Sequence, residues 1–306
     1  MLKPRALRPG DRLAVVAPAS AFDRQEFEQG VLEIQRLGFE PVYDDSVFAR
    51  REYLAGPASV RAAAIRTAWA DPSIAGVVAV RGGYGSAQVI PLLDAADARR
   101  AGKPFIGYSD LTAMLTFLTL HCGVVSFHGP MLAGRLGRGT DGYDRASFER
   151  ALCRAEPMGE LAPDGLETLV AGEVSGMLLG GTLTQLLASL GTSYEFKPPK
   201  GHVLFLDEVG ERPYRLDRML TQLQHTGLLA KASAVVVGEL PRCDEPSGVT
   251  GRMIVADLLS DFPGPVIIGF PSGHTHGPSI TLPFGVQARV VGGPRPRLIV
   301  EEAAVQ

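Results

Sequence analysis

The chain of 306 residues is long enough for one large α/β domain or for two domains of ordinary size. Hydrophobic residues make up 45% of it and charged residues 21%, which allows a full core and argues against disorder. The net charge of −3 provides no basic excess that would attract nucleic acid or an anionic membrane, so a small-molecule or short-peptide substrate is expected.

The first predicted element is a strand within the apolar run Leu13–Ala19. This run follows two charged residues and is too short to span a membrane, so it does not resemble a signal peptide. No later stretch approaches about 20 uninterrupted apolar residues. The three cysteines are scattered and odd in number, which argues against a disulfide framework and favours a reducing compartment. We therefore expect a cytoplasmic protein.

Strand and helix patterns alternate through the first half of the chain. This alternation predicts a parallel sheet with helices on both faces, and ligands of such sheets bind beyond the carboxyl ends of the strands. The predicted helices are Arg24–Leu37, Val60–Ala70, Ala87–Leu93 and one that follows Ser109 and carries Leu111, Leu115 and Leu118. The other predicted strands are Pro41–Tyr43, Gly76–Val80 and Phe105–Gly107.

Between Gly134 and Gly172, charges, glycines and prolines replace the regular alternation, and we predict the domain connection there. The predicted domains are residues 1–150 and 151–306. Strands dominate the closing third, which we expect to curl into a small barrel or mixed sheet. The predicted helices of this half are Leu183–Leu190, Pro213–Gln224 and one around Met253–Leu259; the predicted strands are Val203–Leu206, Ala234–Val237, Val266–Ile268, Ser279–Leu282 and Val286–Val291.

Ser109 lies between a predicted strand and a predicted helix, in the run Gly107-Tyr108-Ser109-Asp110. A turn at this place lifts the hydroxyl clear of the sheet, and the helix N-terminus directs free backbone N–H groups toward it. Ser109 is therefore a candidate nucleophile, and the N–H of Asp110 is a candidate oxyanion donor. The alternative is that one of these two side chains simply caps the helix. The run is not the G-x-S-x-G nucleophile elbow, so position alone leaves both roles open.

The turn Arg81–Gly85 also follows a predicted strand. It is neither a P-loop nor G-x-G-x-x-G, so no nucleotide site is predicted from it. Its glycines allow the backbone to approach a ligand closely. The N–H of Gly83 is a candidate second oxyanion donor, and Arg81 is a candidate partner for a carboxylate. The alternative is a tight turn with a surface arginine.

His274 lies on a loop after a predicted strand, which suits a general base held by a rigid scaffold. His276 completes an H-x-H pair, but no third ligand with metal spacing is nearby, so we predict no metal. Asp207 and Glu208 end a predicted strand. Because successive strand residues point to opposite faces, only one of the two acids can orient the histidine. The alternative is that both are solvated or ion-paired.

The order of these motifs resembles the LD-carboxypeptidase family of serine peptidases. The resemblance extends from about Gly10 to about Val290, nearly the whole chain. The motifs are, in order, RGGYG, GYSDLTA, FHGPM, GMLLGGTLTQLLASLGT, VLFLDEVGERPYRLDRMLTQL and SGHTHGPSITLPFG.

The resemblance implies an N-terminal Rossmann-like domain, a C-terminal β-rich domain and a Ser-Glu-His triad between them. It also implies that Ser109 is the nucleophile, His274 the base, and the N–H groups of Gly83 and Asp110 the oxyanion donors. The family usually has L-E-D where this chain has Leu-Asp-Glu, so ungapped register places Asp207 on the catalytic glutamate. Glu208 would serve only if the strand shifted by one residue, which would reverse its faces.

The substrate implied by the resemblance is a murein tetrapeptide that loses its terminal D-alanine during cell-wall recycling. Neither a metal nor an organic cofactor is implied, and a homodimer is expected. Arg81 is the candidate for binding the free carboxylate of the peptide.

Two other functions are compatible with this fold and these motifs. Microcin C self-immunity peptidases share the triad but cleave aminoacyl-nucleotide analogues, using an aromatic residue on a longer loop. Here the one tryptophan, Trp69, lies in an Ala-rich helix far from the triad motifs, although Tyr84 offers another aromatic ring. The other rival is a non-catalytic peptide-binding protein on the same fold.

Overall fold

A computed structural model describes all residues from Met1 to Gln306. Two mixed sheets and nine α-helices make up the fold. The strands are β1 (Arg12–Val16), β2 (Glu40–Val42), β3 (Ile74–Ala79), β4 (Phe105–Gly107), β5 (Ser126–His128), β6 (Pro157–Leu161), β7 (Glu167–Val170), β8 (Gly172–Thr182), β9 (His202–Asp207), β10 (Ala232–Gly238), β11 (Val266–Phe270), β12 (Leu282–Phe284), β13 (Gln287–Gly292) and β14 (Arg297–Ala303).

The helices predicted around residues 24–37, 60–70, 213–224 and 253–259 are present. Asp23, for example, caps the first helix by accepting the N–H of Glu26, and Pro213 opens the eighth, where no N–H is needed. The nine α-helices are α1 (Arg24–Arg36), α2 (Ala58–Ala70), α3 (Ser86–Val89), α4 (Ala95–Ala101), α5 (Thr112–Thr116), α6 (Arg145–Cys153), α7 (Leu183–Ala188), α8 (Pro213–His225) and α9 (Gly251–Leu259). None of them combines the length and the apolar character that crossing a bilayer requires.

The first sheet has six strands in the order β12-β5-β4-β3-β1-β2. All its neighbours are parallel except β12, which runs antiparallel to β5. Buried aliphatic side chains fill β1 and β3, as expected for strands covered on both faces. The predicted parallel sheet is therefore confirmed, with β12 as an addition from the far end of the chain.

The second sheet has eight strands in the order β6-β14-β13-β8-β9-β10-β11-β7. Its centre, from β8 to β11, is parallel, and its flanking strands pair antiparallel. The two flanks curl toward each other, as a contact between β7 and the residue after β13 shows. The Thr168 hydroxyl donates to the carbonyl of Gly293 and accepts the N–H of the same residue. The predicted β-rich, barrel-like second half is confirmed. The division at residue 150 stays a prediction.

Several details differ from the sequence-based expectations. The segment from Gly134 to Gly172 is not irregular, because Asp144 caps α6 and the strands β6 and β7 follow. The predicted strand Ser279–Leu282 is wrong in register: the strand is Leu282–Phe284, paired with β5. Helix α4 and strands β5 and β14 have no counterpart among the predicted elements. A strand of three residues, such as β5, carries little periodicity by which to place it.

The architecture brings four carboxyl strand ends to one cleft. Strands β3 and β4 end at the turn 81–85 and at Ser109, and β9 and β11 end at Asp207 and at the loop that carries His274. The two sheets meet tightly behind this cleft. A Cβ on Gly181 of β8 would lie 2.5 Å from Thr112 Cγ2, and Thr112 Oγ1 accepts the N–H of Thr182 at 3.0 Å.

Candidate active site

Ser109 occupies a strained turn at the end of β4. Its φ of 63° lies in the left-handed region, which residues other than glycine rarely adopt. Tyr108 before it is extended, and the three residues from Ser109 to Leu111 form a 3₁₀ turn that leads into α5. This strand–strained residue–helix arrangement raises the serine side chain above the sheet edge, as in nucleophile elbows of other hydrolases.

The glycine turn after β3 packs directly against this serine. A Cβ on Gly82 would lie 3.1 Å from Ser109 Cβ and 3.3 Å from the backbone nitrogen of Asp110. Gly83 has a φ of 92°, and a Cβ there would collide with Ser20 Oγ. The N–H groups of Gly83 and Asp110 have no acceptor among the protein groups. Two free donors therefore flank the serine, as an oxyanion site requires.

The Asp110 side chain fastens the two turns together. Its Oδ2 accepts the N–H of Ser86 at 2.8 Å, and the Ser86 hydroxyl donates to the Asp110 carbonyl at 2.6 Å. Burial raises the pKa of this carboxyl, and the hydrogen bonds from Ser86 act in the opposite direction. Asp110 thus fixes the start of α3, which follows the glycine turn.

Asp207 and His274 form a hydrogen-bonded pair across the cleft. Asp207 is fully buried, and its Oδ2 lies 2.7 Å from His274 Nδ1. Its Oδ1 accepts the backbone N–H of His274 at 3.2 Å, and Thr182 donates to Oδ2 at 3.3 Å. A carboxylate on Nδ1 leaves Nε2 available for proton transfer, which is the arrangement of a hydrolase triad.

Glu208 points to the other side of β9. Its Oε2 accepts the backbone N–H of Thr184 at 2.9 Å and the Thr184 hydroxyl at 2.7 Å, and its Oε1 accepts the N–H of Val209. Burial raises the pKa of this carboxyl. Alternation along the strand therefore separates the two acids, and Asp207 is the one beside the histidine.

The imidazole of His274 lies next to the serine turn. Its ring centre is 5.1 Å from that of Tyr108, the residue that precedes Ser109. No hydrogen bond joins Ser109 Oγ to His274 in this structure; such contacts often tighten only when substrate binds. The structure thus brings together Ser109, Asp110, Gly83, Asp207 and His274.

Arg81 lies at the rim of this group. It is exposed, and its guanidinium makes one long hydrogen bond of 3.4 Å to the carbonyl of Ala21. His276 is also exposed, and its backbone N–H donates to Glu239 at 2.7 Å. No group of three or more His, Cys, Asp or Glu side chains is placed to hold a metal ion.

Comparison with known proteins agrees with this geometry. The family model for the LD-carboxypeptidase N-terminal domain matches residues 13–129, and that for the LD-carboxypeptidase C-terminal domain matches residues 175–290. The chain belongs to the LD-carboxypeptidase family. It is accordingly a peptidase by family.

Two curated relatives of this LD-carboxypeptidase family member are named for murein peptides. The murein tetrapeptide carboxypeptidase of Pseudomonas aeruginosa is 32% identical over 86% of this chain and 88% of its own length. A Bacillus subtilis protein, named "Probable murein peptide carboxypeptidase", is 32% identical over 94% of this chain and 90% of its own length.

Solved structures of the family share the fold. The muramoyltetrapeptide carboxypeptidase of Oxalobacter formigenes has a TM-score of 0.81 at 29% identity, covering 95% of this chain and 99% of that one. The microcin C7 self-immunity protein, solved with glutamyl sulfamoyl guanosine, has a TM-score of 0.90 at 22% identity, and each chain is covered completely. At that identity the second match shows the fold alone.

Two residues of this family member support the site without having been singled out by sequence. Arg135 is buried and donates from Nη1 to the carbonyls of Gly142 and Gly277, at 3.2 and 2.9 Å. From Nη2 it donates to those of Gly273 and Thr275, both at 3.0 Å. It thereby fixes the loop that carries His274.

His128 is the second such residue. It is fully buried at the end of strand β5. Its Nδ1 lies 3.1 Å from the Ser272 hydroxyl, which itself donates to the carbonyl of Ile280. Burial lowers the pKa of His128 to about 4, so the ring is neutral behind the triad. A Cβ on Gly273 would lie 2.6 Å from both the His128 ring and Asp207 Oδ2, which explains the glycine there.

Proposed function

We propose that this protein is a serine-type carboxypeptidase that releases the terminal D-alanine of murein tetrapeptides. The observation that carries the proposal is the hydrogen-bonded Asp207–His274 pair beside the strained turn of Ser109. The family relatives named for murein peptides supply the substrate class.

In the proposed mechanism, His274 removes the proton of Ser109 as the hydroxyl oxygen attacks the carbonyl of the L,D peptide bond. Asp207 holds the imidazole by Nδ1 and stabilises its charged form. The N–H groups of Gly83 and Asp110 hold the tetrahedral oxyanion, and losing one such donor typically lowers the rate by ~10²–10³. His274 then protonates the leaving nitrogen of D-alanine, and water releases the acyl-enzyme by the reverse path.

Hydrolysis of aminoacyl-nucleotide analogues is the second candidate. Tyr53 and Tyr84 are exposed, with ring centres 6.1 Å apart, and Tyr84 follows Gly83 directly. Stacking on such rings is a general way of holding a base. We rank this function second because the likeness to the microcin protein in complex with a nucleoside analogue concerns the fold.

The experiment that separates the two is direct. The purified protein is incubated with a murein tetrapeptide and with an aminoacyl-sulfamoyl adenosine, and both are followed by mass spectrometry. We expect the tetrapeptide alone to lose one alanine. Cleavage of the nucleoside analogue alone would refute the proposal. Covalent labelling of Ser109 by a serine-reactive phosphonate excludes a non-catalytic binder, which would remain unlabelled.

We further propose that the protein acts in the cytoplasm as a homodimer, as expected from the resemblance to the family. Light scattering after size-exclusion chromatography is expected to give about twice the 32.5 kDa mass of the chain. A mass of one chain at micromolar concentration contradicts the dimer.

A further inference from the structure

The position of the leaving residue follows from the proposed chemistry, on which this inference rests. The group that protonates the leaving nitrogen must lie within hydrogen-bond reach of it, so the leaving D-alanine lies on the His274 side of the scissile bond. In a terminal residue only Cα separates that nitrogen from the carboxylate. The carboxylate therefore has to be accommodated immediately beyond His274.

A polar cavity of about 300 Å³ opens at this place. It is lined by Arg135, Val209, Pro241, Arg242 and the run His274–His276. No carboxylate side chain lines it, whereas two guanidinium groups do. The charges of the lining therefore favour an anion, and its volume is sufficient for a single small residue.

The first guanidinium is not available to a ligand. Arg135 uses both terminal nitrogens for four backbone carbonyls, at 2.9–3.2 Å. Since a guanidinium has five N–H groups, four of them are occupied. A bidentate interaction with a carboxylate would require breaking bonds that hold the His274 loop.

The second guanidinium is free. Arg242 is exposed, and no ion pair of this structure includes it. Its backbone is held in the left-handed region at φ 60°, two residues after Leu240 at φ 55°. Hydrogen bonds from Gly210 to Pro241 and from Cys243 to Leu240 pin this segment. Backbone strain of this kind persists only where the surrounding structure fixes it, and it is enriched at ligand-binding sites.

We propose that Arg242 binds the C-terminal carboxylate of the substrate and so restricts the enzyme to removal of a terminal residue. Arg81, the arginine expected from sequence for this task, lies at the end of β3 beside the glycine turn, with its guanidinium toward Ala21. That position is beside Gly82 and Gly83, and Arg81 does not line the cavity that Arg242 and His274 share.

The test compares two substrates that differ only at the terminus. One is a murein tetrapeptide with a free D-alanine carboxylate, and the other ends in D-alaninamide. We expect the wild type to prefer the acid, and Arg242→Gln to lower the ratio of kcat/KM for acid over amide by about 10- to 150-fold, the worth of a hydrogen bond to a charged group. Arg242→Lys should retain part of the preference for the acid, because lysine keeps the positive charge. The matched control is Arg218→Gln, which replaces an exposed arginine on α8 and should keep the wild-type ratio of kcat/KM for acid over amide.

Three results would overturn the inference in distinguishable ways. If Arg242→Gln keeps the wild-type ratio, the carboxylate binds elsewhere. If Arg81→Gln alone abolishes the preference for the acid, Arg81 binds the carboxylate, as the sequence predicts. If the wild type cleaves neither substrate, the proposed function itself fails and the inference with it. Should Arg242→Gln be poorly folded, Arg242→Asn replaces it, because asparagine adopts a positive φ more readily.

Discussion

At the scale of single residues, the site depends on a serine held in a conformation that costs free energy. Ser109 has a φ of 63°, and strain of this kind costs of order 1–3 kcal/mol. The turn of Gly82 packs closely against this residue, because a Cβ on Gly82 would lie 3.1 Å from Ser109 Cβ. The same geometry leaves the adjacent N–H groups free, so the strain and the oxyanion site have one origin.

Substitution of Ser109 separates the strain from the chemistry. Ser109→Ala and Ser109→Gly are both expected to abolish tetrapeptide cleavage, because each lacks the nucleophile. Glycine accepts the left-handed conformation without penalty, so Ser109→Gly should have an unfolding free energy about 1 kcal/mol above that of Ser109→Ala. Urea denaturation measures the difference. Equal stability of the two variants would show that the turn is not strained.

The two neighbouring acids at the end of β9 give a second residue-scale prediction. Asp207→Asn should reduce kcat by about 10⁴, as expected when the acid that fixes the histidine tautomer is neutralised. Glu208→Gln should affect stability more than kcat, because Glu208 holds Thr184 at the start of α7 and does not face the histidine. Steady-state kinetics and thermal unfolding of both variants provide the measurement. A larger loss of kcat in Glu208→Gln contradicts the proposed triad.

At the scale of elements, the loop that carries His274 has no regular structure of its own and depends on a side chain from elsewhere. Arg135, between β5 and α6, holds this loop by donating hydrogen bonds to the carbonyls of Gly273, Thr275 and Gly277. Buried carbonyls need such partners, because an unsatisfied one costs about 1–3 kcal/mol. Arg135 is thus a positioning residue that acts through His274.

Arg135→Lys tests this arrangement. An ammonium group cannot reach four carbonyls in one plane, so we expect an unfolding free energy lower by about 2–3 kcal/mol. Below its unfolding temperature, the variant should lose kcat with little change in KM, because the base is misplaced while the binding surface remains. Arg138→Lys, at an exposed position in the same segment, is the control. A purely structural role for Arg135 would leave kcat of the folded fraction unchanged.

At the scale of the whole molecule, the larger of two hydrophobic clusters extends across both sheets. The cluster includes Val77 and Phe127 of the first sheet together with Val203 and Phe205 of the second. Strand β12 pairs with β5, and the C-terminal Gln306 exchanges backbone hydrogen bonds with the N-terminal segment. The two sheets that form the cleft are therefore held together by side-chain packing and strand pairing, and not only by the chain that links them.

We expect His128 to make the contact between the two sheets sensitive to pH. It lies on β5 against Phe205 of β9, with its pKa lowered to about 4 mainly by burial; the charge of Asp207 opposes this lowering and that of His274 adds to it. An unfolded histidine titrates near 6.5, so protons bind the unfolded chain first, and stability present above pH 6.5 is lost as the pH falls toward 4. We expect this loss of unfolding free energy to reach about 3 kcal/mol at pH 4.

The measurement is urea denaturation between pH 7 and pH 4 for the wild type and for His128→Gln. Glutamine does not titrate and retains an N–H for Ser272. Because the carboxylates titrate in both proteins, the difference between the two curves isolates His128. Parallel curves would contradict a neutral, buried histidine at the contact between the two sheets.

The sequence by itself determined the features that repeat locally or follow in order. Alternating strands and helices gave the parallel sheet, the motif order indicated the family, and the Gly107–Asp110 run pointed to Ser109. The two-residue alternation of a strand, together with the family register, was enough to prefer Asp207 to Glu208. Each of these signals is read within a short segment or from the order of segments along the chain, and neither requires knowledge of which distant residues are in contact.

Only the tertiary structure decided which distant groups support the site. Arg135 binds the carbonyl of Gly273, 138 positions further along the chain, and His128 meets Ser272, 144 positions further along. Neither residue stands in a pattern that names its partner, because a buried polar group selects whichever complementary atom the packing brings within reach. The free guanidinium of Arg242 is likewise recognisable only once the neighbouring Arg135 is seen to have its terminal N–H groups occupied by carbonyls.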